Sequence, residues 1–135
     1  MMKYLKNLLF IFLLFSMSIA SANDGISYAN YYNEAVEFYN IKKYNLSIKA
    51  YDKAIILNPN DYGFYDSKAF VLYKLEKYSL AVEASNKAIE LNPNNSDLYY
   101  NKSLILEKLG HYKLALEAVN KALELNHLNY GCSTT

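Results

Sequence analysis

Tyr44-Asn45-Leu46-Ser47-Ile48-Lys49-Ala50-Tyr51-Asp52-Lys53-Ala54-Ile55-Ile56-Leu57-Asn58-Pro59 returns 34 residues later as Tyr78-Ser79-Leu80-Ala81-Val82-Glu83-Ala84-Ser85-Asn86-Lys87-Ala88-Ile89-Glu90-Leu91-Asn92-Pro93. After another 34 residues it returns as Tyr112-Lys113-Leu114-Ala115-Leu116-Glu117-Ala118-Val119-Asn120-Lys121-Ala122-Leu123-Glu124-Leu125-Asn126-His127. A fixed period of this size marks one supersecondary unit that cannot bury its own apolar face, so neighbouring units must stack. Within each unit, apolar and small residues recur every three or four positions in two runs, which predicts two amphipathic helices of about 12 to 14 residues. In the middle unit the first run carries Tyr65, Ala69, Leu72 and Leu75, and the second carries Tyr78, Ala81, Val82, Ser85, Ala88, Ile89 and Leu91.

The breaks between paired helices are Ile41-Lys42-Lys43, Leu75-Glu76-Lys77 and Leu109-Gly110-His111, too short for anything but an antiparallel pair. Asn58-Pro59 and Asn92-Pro93 stop helices because proline lacks an N–H and disfavours helix at the preceding residue. Asn95, Ser96 or Asp97 can cap the next start. Small residues occupy equivalent places, Ala35, Ala69 and Ser103, then Ser47, Ala81 and Ala115, then Ala54, Ala88 and Ala122, which lets backbones approach where helices cross. Tyr31, Phe38, Tyr51, Leu72 and Leu106 are expected to fill the remaining volume.

Three units in this phase occupy residues 28–61, 62–95 and 96–129, with a tail over 130–135. Residues 1–22 read as a secretory signal, with Lys3 and Lys6 as the basic start, Leu8 to Ala20 as the apolar core and Ala20-Ser21-Ala22 as a cleavage site. Cleavage after Ala22 leaves residues 23–27 as a short linker and predicts an exported protein, periplasmic or secreted from a bacterium. The alternative is a membrane anchor over residues 8–22, which is shorter than the roughly 20 residues a spanning helix needs.

The 14 basic residues are all lysine and the acidic residues number 13, so losing Lys3 and Lys6 leaves 12 against 13. A nearly neutral chain without arginine carries no electrostatic footprint for nucleic acid or, after signal cleavage, for a membrane surface. Cys132 is the single cysteine and cannot close an intrachain disulfide. His111 and His127 lie sixteen positions apart, and four glycines form no phosphate loop, so no catalytic residue, metal ligand or cofactor is expected.

Together, Tyr31, Tyr65 and Tyr99 with the small residues, Tyr44, Tyr78 and Tyr112, and Pro59 and Pro93 resemble the tetratricopeptide repeat, in three copies. The copies depart from that pattern where tyrosine stands for the usual tryptophan, where only Gly110 supplies the usual inter-helix glycine, and where His127 replaces the third proline. The resemblance implies an all-α fold, a right-handed α-solenoid of three antiparallel helix pairs, and a non-catalytic module that binds a protein or peptide segment in a concave groove. It places Tyr32, Asn33, Val36, Tyr39 and Asn40 in that groove from the first unit. Asp66, Ser67, Phe70, Tyr73 and Lys74 follow from the second, and Tyr100, Asn101, Leu104, Glu107 and Lys108 from the third. Of these, Tyr32, Asn33, Tyr39, Phe70, Tyr73, Lys74, Tyr100, Asn101 and Lys108 are the expected ligand-binding residues.

Members of the family that hold a chaperone's terminal carboxylate use lysine, asparagine and further basic residues at places occupied here by Tyr32, Val36, Ser67, Asp97 and Asn101, so no clamp for a carboxylate is expected. The resemblance also leads to the expectation of a final solvating helix that this sequence lacks, leaving Leu116, Val119 and Leu123 uncovered. Three readings follow: a homo-oligomer assembled through that end, a partner docking there, or a chain shortened from a longer ancestor.

Overall fold

The computed structural model describes the backbone of residues 2–130 and the side chains of residues 4–13 and 28–128. Among the described residues six helices follow one another through turns of three or four residues: α1 (Met2–Asn40), α2 (Tyr44–Leu57), α3 (Tyr62–Lys74), α4 (Tyr78–Leu91), α5 (Ser96–Lys108) and α6 (Tyr112–Tyr130). They pack as the pairs α1–α2, α3–α4 and α5–α6, and α2 against α3 and α4 against α5 join the pairs in sequence.

Each paired turn is built the same way. Lys42, Glu76 and Gly110 have φ of 61°, 58° and 76°, the left-handed conformation that ends a helix. The next N–H in each case, from Lys43, Lys77 and His111, donates to the carbonyl five residues back, on Phe38, Leu72 and Leu106, at 2.8–2.9 Å. The left-handed residue itself donates to Tyr39, Tyr73 or Glu107, which completes a Schellman motif three times. Between pairs, the Asp61 carboxylate accepts from the Gly63 N–H at 2.9 Å and the Asn95 side chain from the Asp97 N–H at 3.0 Å, so Asn95 is the cap among the three candidates. Tyr65 and Tyr99 donate their hydroxyls to the carbonyls of Pro59 and Pro93, each at 3.0 Å, tying the first helix of a unit to the loop before it.

All nine of the repeated small residues are buried, as are Tyr51, Leu72 and Leu106, whereas Tyr31 and Phe38 are half-buried. Ile48 packs against both the first and second core clusters, and Val82 against the second and third, so the core is one continuous column.

Both ends differ from the sequence expectation. Helix α1 passes without interruption through residues 23–27, expected as a linker, and at 39 residues reaches about 58 Å. The described apolar side chains of its first turns, such as Leu8 and Phe12, are exposed. Among the described residues no helix is long and apolar enough to cross a membrane. At the other end α6 does not stop where α2 and α4 stop. With His127 in place of proline, the chain keeps its N–H donor and the helix continues to Tyr130, with His127 in the last turn. Cys132 and the rest of the tail beyond residue 130 lie outside the described residues.

The repeat makes the two ends comparable. Ile48 and Val82 are half-buried, yet Leu116 in the same register is 61% exposed. Ile55 and Ile89 are half-buried, yet Leu123 is 51% exposed. Opposite this, Asn30 and Glu37 are exposed on α1 at positions where α3 and α5 bury Phe64 and Leu98, and Val71 and Ile105. The first helix therefore ends the stack with polar residues and the last helix does not.

Candidate functional site

Helices α1, α3 and α5 are the first members of their pairs and run parallel, each separated from the next by an antiparallel helix. Two adjoining clefts lie along them. One, of about 100 Å³, is lined by Asp66, Ala69, Phe70 and Tyr73 of α3 and by Asn101, Leu104 and Ile105 of α5. The other, of about 280 Å³, is lined by Tyr39 of α1, Tyr51 of α2, Asp66, Ser67, Phe70 and Val71 of α3, and Asn101 of α5. Asp66, Phe70 and Asn101 belong to both, so the two clefts form one groove centred on α3.

The groove combines exposed apolar surface with a polar floor. Phe70 is 49% exposed and Leu104 40%, side by side on α3 and α5. The Tyr39 ring lies 5.7 Å from the Phe70 ring at 51°, and the Lys74 ammonium sits 5.1 Å from the Phe70 centroid, a cation–π contact. The Asn101 amide nitrogen donates to both carboxylate oxygens of Asp66 at 3.3 Å, bridging α5 to α3. Burial pushes the Asp66 carboxyl above its ordinary range, the Asn101 bond partly offsets that, and the nearby Asp97 charge adds to the rise. Burial also raises the Tyr51 phenol, with a hydrogen bond to Ser67 opposing it and Tyr32 and Tyr39 reinforcing it.

The structure brings Tyr39, Phe70, Tyr73 and Asn101 together, with Lys74 adjoining through Phe70. Tyr32 is placed differently: its ring packs 5.8 Å from Tyr51 and 5.5 Å from Phe64, as part of the first core cluster. Asn33, Tyr100 and Lys108 are exposed and line neither cleft. Asp66 and Leu104 stand in the groove by register without having been singled out as binding residues. Tyr51, Val71 and Ile105 are core residues whose edges line it, and no surface pattern announces them. Among the described residues no three His, Cys, Asp or Glu side chains gather to hold a metal ion.

Stacked antiparallel helix pairs with a groove along the first helices define an α-solenoid of the helical-repeat class. This chain belongs to the tetratricopeptide repeat family: one family model with that description matches residues 28–61 and 62–95, and a second matches 84–117. The second match runs from within α4 to the start of α6, offset from the third unit. Among solved structures, MamA is similar with a TM-score of 0.74 and 26% identity over 76% of this chain and 60% of MamA. This chain thus spans less than two thirds of MamA. The TPR2B domain of yeast Sti1, solved as a complex with pHsp70, is similar with a TM-score of 0.73 and 27% identity over 81% of this chain and 87% of that one. The Arabidopsis OM64 TPR domain, at 23% identity and a TM-score of 0.72 over 79% of this chain and 88% of that one, shares the fold. No curated protein sequence matches the chain.

Proposed function

We propose that this protein is a non-catalytic interaction module that binds a segment of a partner protein in the groove between α1, α3 and α5. The observation that carries this reading is the solvent-open pair Phe70 and Leu104 beside the Asp66–Asn101 bridge, apolar anchors next to fixed hydrogen-bonding groups. Sti1 supports it as a similar domain in complex with pHsp70. The places that clamp a terminal carboxylate in related proteins hold Tyr32, Val36, Ser67, Asp97 and Asn101 here, none of them basic, so an internal segment of mixed character suits the groove better. We further propose export, with residues 1–22 removed and Asn23 as the mature N-terminus. A photo-crosslinking amino acid at position 73 is expected to give discrete adducts in the producing cell that Phe70→Ala abolishes. Equal adducts from a crosslinker at Asn86, outside the groove, or adducts indifferent to Phe70→Ala, would remove the groove reading. Mass spectrometry of the mature chain tests export, and an intact Met1 refutes it.

The exposed Leu116 and Leu123 favour a second reading, self-assembly through α6. Head-to-tail stacking would bury Asn30 and Glu37 against those leucines without partners, which is costly, whereas α6 on α6 about a two-fold axis buries apolar on apolar. Four half-exposed leucines supply about 4 kcal/mol gross, no more than the least that association costs, about 4 kcal/mol. The expected dimer is therefore weak. Sedimentation equilibrium should show a mass that rises with concentration and stays monomeric in Leu123→Lys. A monomer at the highest attainable concentration ends this reading.

A further inference from the structure

We propose that the segment bound in the groove presents a lysine or arginine side chain, flanked by an apolar residue, to the carboxylate of Asp66. This rests on the groove reading above and names the chemistry of its occupant. The Asp66 carboxylate offers about four acceptor positions. In the structure one amide group, the Asn101 side chain, reaches both oxygens at 3.3 Å, long for a charge-assisted bond. No cation pairs with it among the described residues, where the ion pairs are Lys68–Asp52, Lys87–Glu90 and Lys121–Glu124. The groove's own lysine, Lys74, lies eight residues along α3, about 12 Å, and is held over Phe70. The charged neighbour that acts on Asp66 is Asp97, of the same sign.

A half-buried carboxylate so incompletely paired costs stability, and a cation from outside would satisfy it. The walls fit the rest of such a side chain. Phe70, Tyr73 and Leu104 provide apolar surface for the methylene stem and for an adjoining apolar residue. An acidic segment or a terminal carboxylate would instead face Asp66 and Asp97 together. The site is thus complementary to positive charge, opposite to a carboxylate clamp.

The test uses the full mature chain on an array of decapeptides that are acetylated at the N-terminus and tethered at the C-terminus, so that neither terminus supplies a charge. Bound peptides are expected to contain lysine or arginine within four positions of leucine, phenylalanine or tyrosine. The strongest, labelled with fluorescein, is then measured by anisotropy with its cationic residue intact or replaced by norleucine (arginine is first replaced by lysine). The norleucine form should bind about tenfold more weakly, as expected for a hydrogen bond to a charged group. That ratio should collapse toward one in Asp66→Asn, whose circular dichroism reports an intact fold, while Phe70→Ala weakens both peptides alike. An unchanged ratio in Asp66→Asn, or array binders without cations, overturns this inference and leaves the groove reading standing. Absence of any bound peptide, or indifference to Phe70→Ala, overturns both. Displacement by free spermidine at the peptide's own concentration would assign Asp66 to a small amine and overturn the commitment to a protein segment.

Discussion

Replacing Lys42 and Glu76 with glycine is expected to stabilise the chain, and replacing Gly110 with alanine to destabilise it, because the three residues do the same work at different conformational cost. All three stand at the left-handed end of a Schellman motif, with φ of 61°, 58° and 76°. A side chain in that conformation costs roughly 1–2 kcal/mol, and glycine gives back about 0.5–1 kcal/mol through the greater entropy it loses on folding. The net gain is about 0.5–1 kcal/mol per site, and sites in separate turns should add. Lys42 and Glu76 are exposed and make no ion pair among the described residues, so little else is lost. A Cβ built on Gly110 meets nothing within 4 Å, so Gly110→Ala isolates the backbone term, about 1 kcal/mol against folding. Urea titrations followed by circular dichroism give the midpoints, and an unchanged slope keeps the comparison within one unfolding reaction. A neutral Gly110→Ala, or a double glycine variant less stable than the parent, would refute this account of the turns.

Four further outcomes are expected. Ser85→Ala should raise the melting temperature by the equivalent of about 1 kcal/mol, because the Ser85 hydroxyl is buried without a hydrogen-bond partner among the described residues. Ser47→Ala should lower it, since the Ser47 hydroxyl donates to the Ala35 carbonyl at 2.7 Å. Ala88→Leu, at a fully buried helix crossing, should cost about 1–3 kcal/mol by overpacking, read as a lower urea midpoint. Asp66→Asn should be more stable than the parent at neutral pH, with the advantage shrinking as pH falls through the carboxyl's folded value. The sign follows from a carboxyl harder to ionise folded than unfolded, whose burden is relieved by protonation. A pH-independent difference would show that charge is not its cause.

The helices were legible because their causes are local. The three- and four-residue spacing and the Asn-Pro stops act within a turn or two of the chain, the 34-residue period repeats them in phase, and the nine small positions are buried as helix crossings require. Features set by distant parts of the chain are not legible in this way. Tyr32 has the register of a groove residue, but Tyr51 and Phe64 from two other helices close on its ring. Asp66 looks like surface charge in sequence. Its burial and its bond to Asn101, 35 positions away, exist only once α3 and α5 lie side by side.

That juxtaposition also gives the groove a direction. Helices α3 and α5 run parallel, and both end in a lysine, Lys74 and Lys108 in their last turns, where a cation complements the helix dipole. Carboxylates lie toward the other end, with Asp97 in the first turn of α5 and Asp66 five residues into α3. Along α3 the charges are ordered, Asp66 before Lys74, whereas α5 carries Glu107 beside Lys108 at its end, in a chain with a formal net charge of +1. A neutral repeat can discriminate by field as well as by shape, because what a segment meets is the local order of charge. Phe70 lies between Asp66 and Lys74 along α3, so a segment bound as proposed would meet a carboxylate and an ammonium on either side of one apolar ring. The framework residues repeat in all three units, but position 66 holds aspartate in one unit and tyrosine in the two others, at Tyr32 and Tyr100. The copies disagree in charge at two further groove positions, Tyr39, Tyr73 and Glu107, and Asn40, Lys74 and Lys108, so the groove changes in charge from unit to unit while its framework repeats.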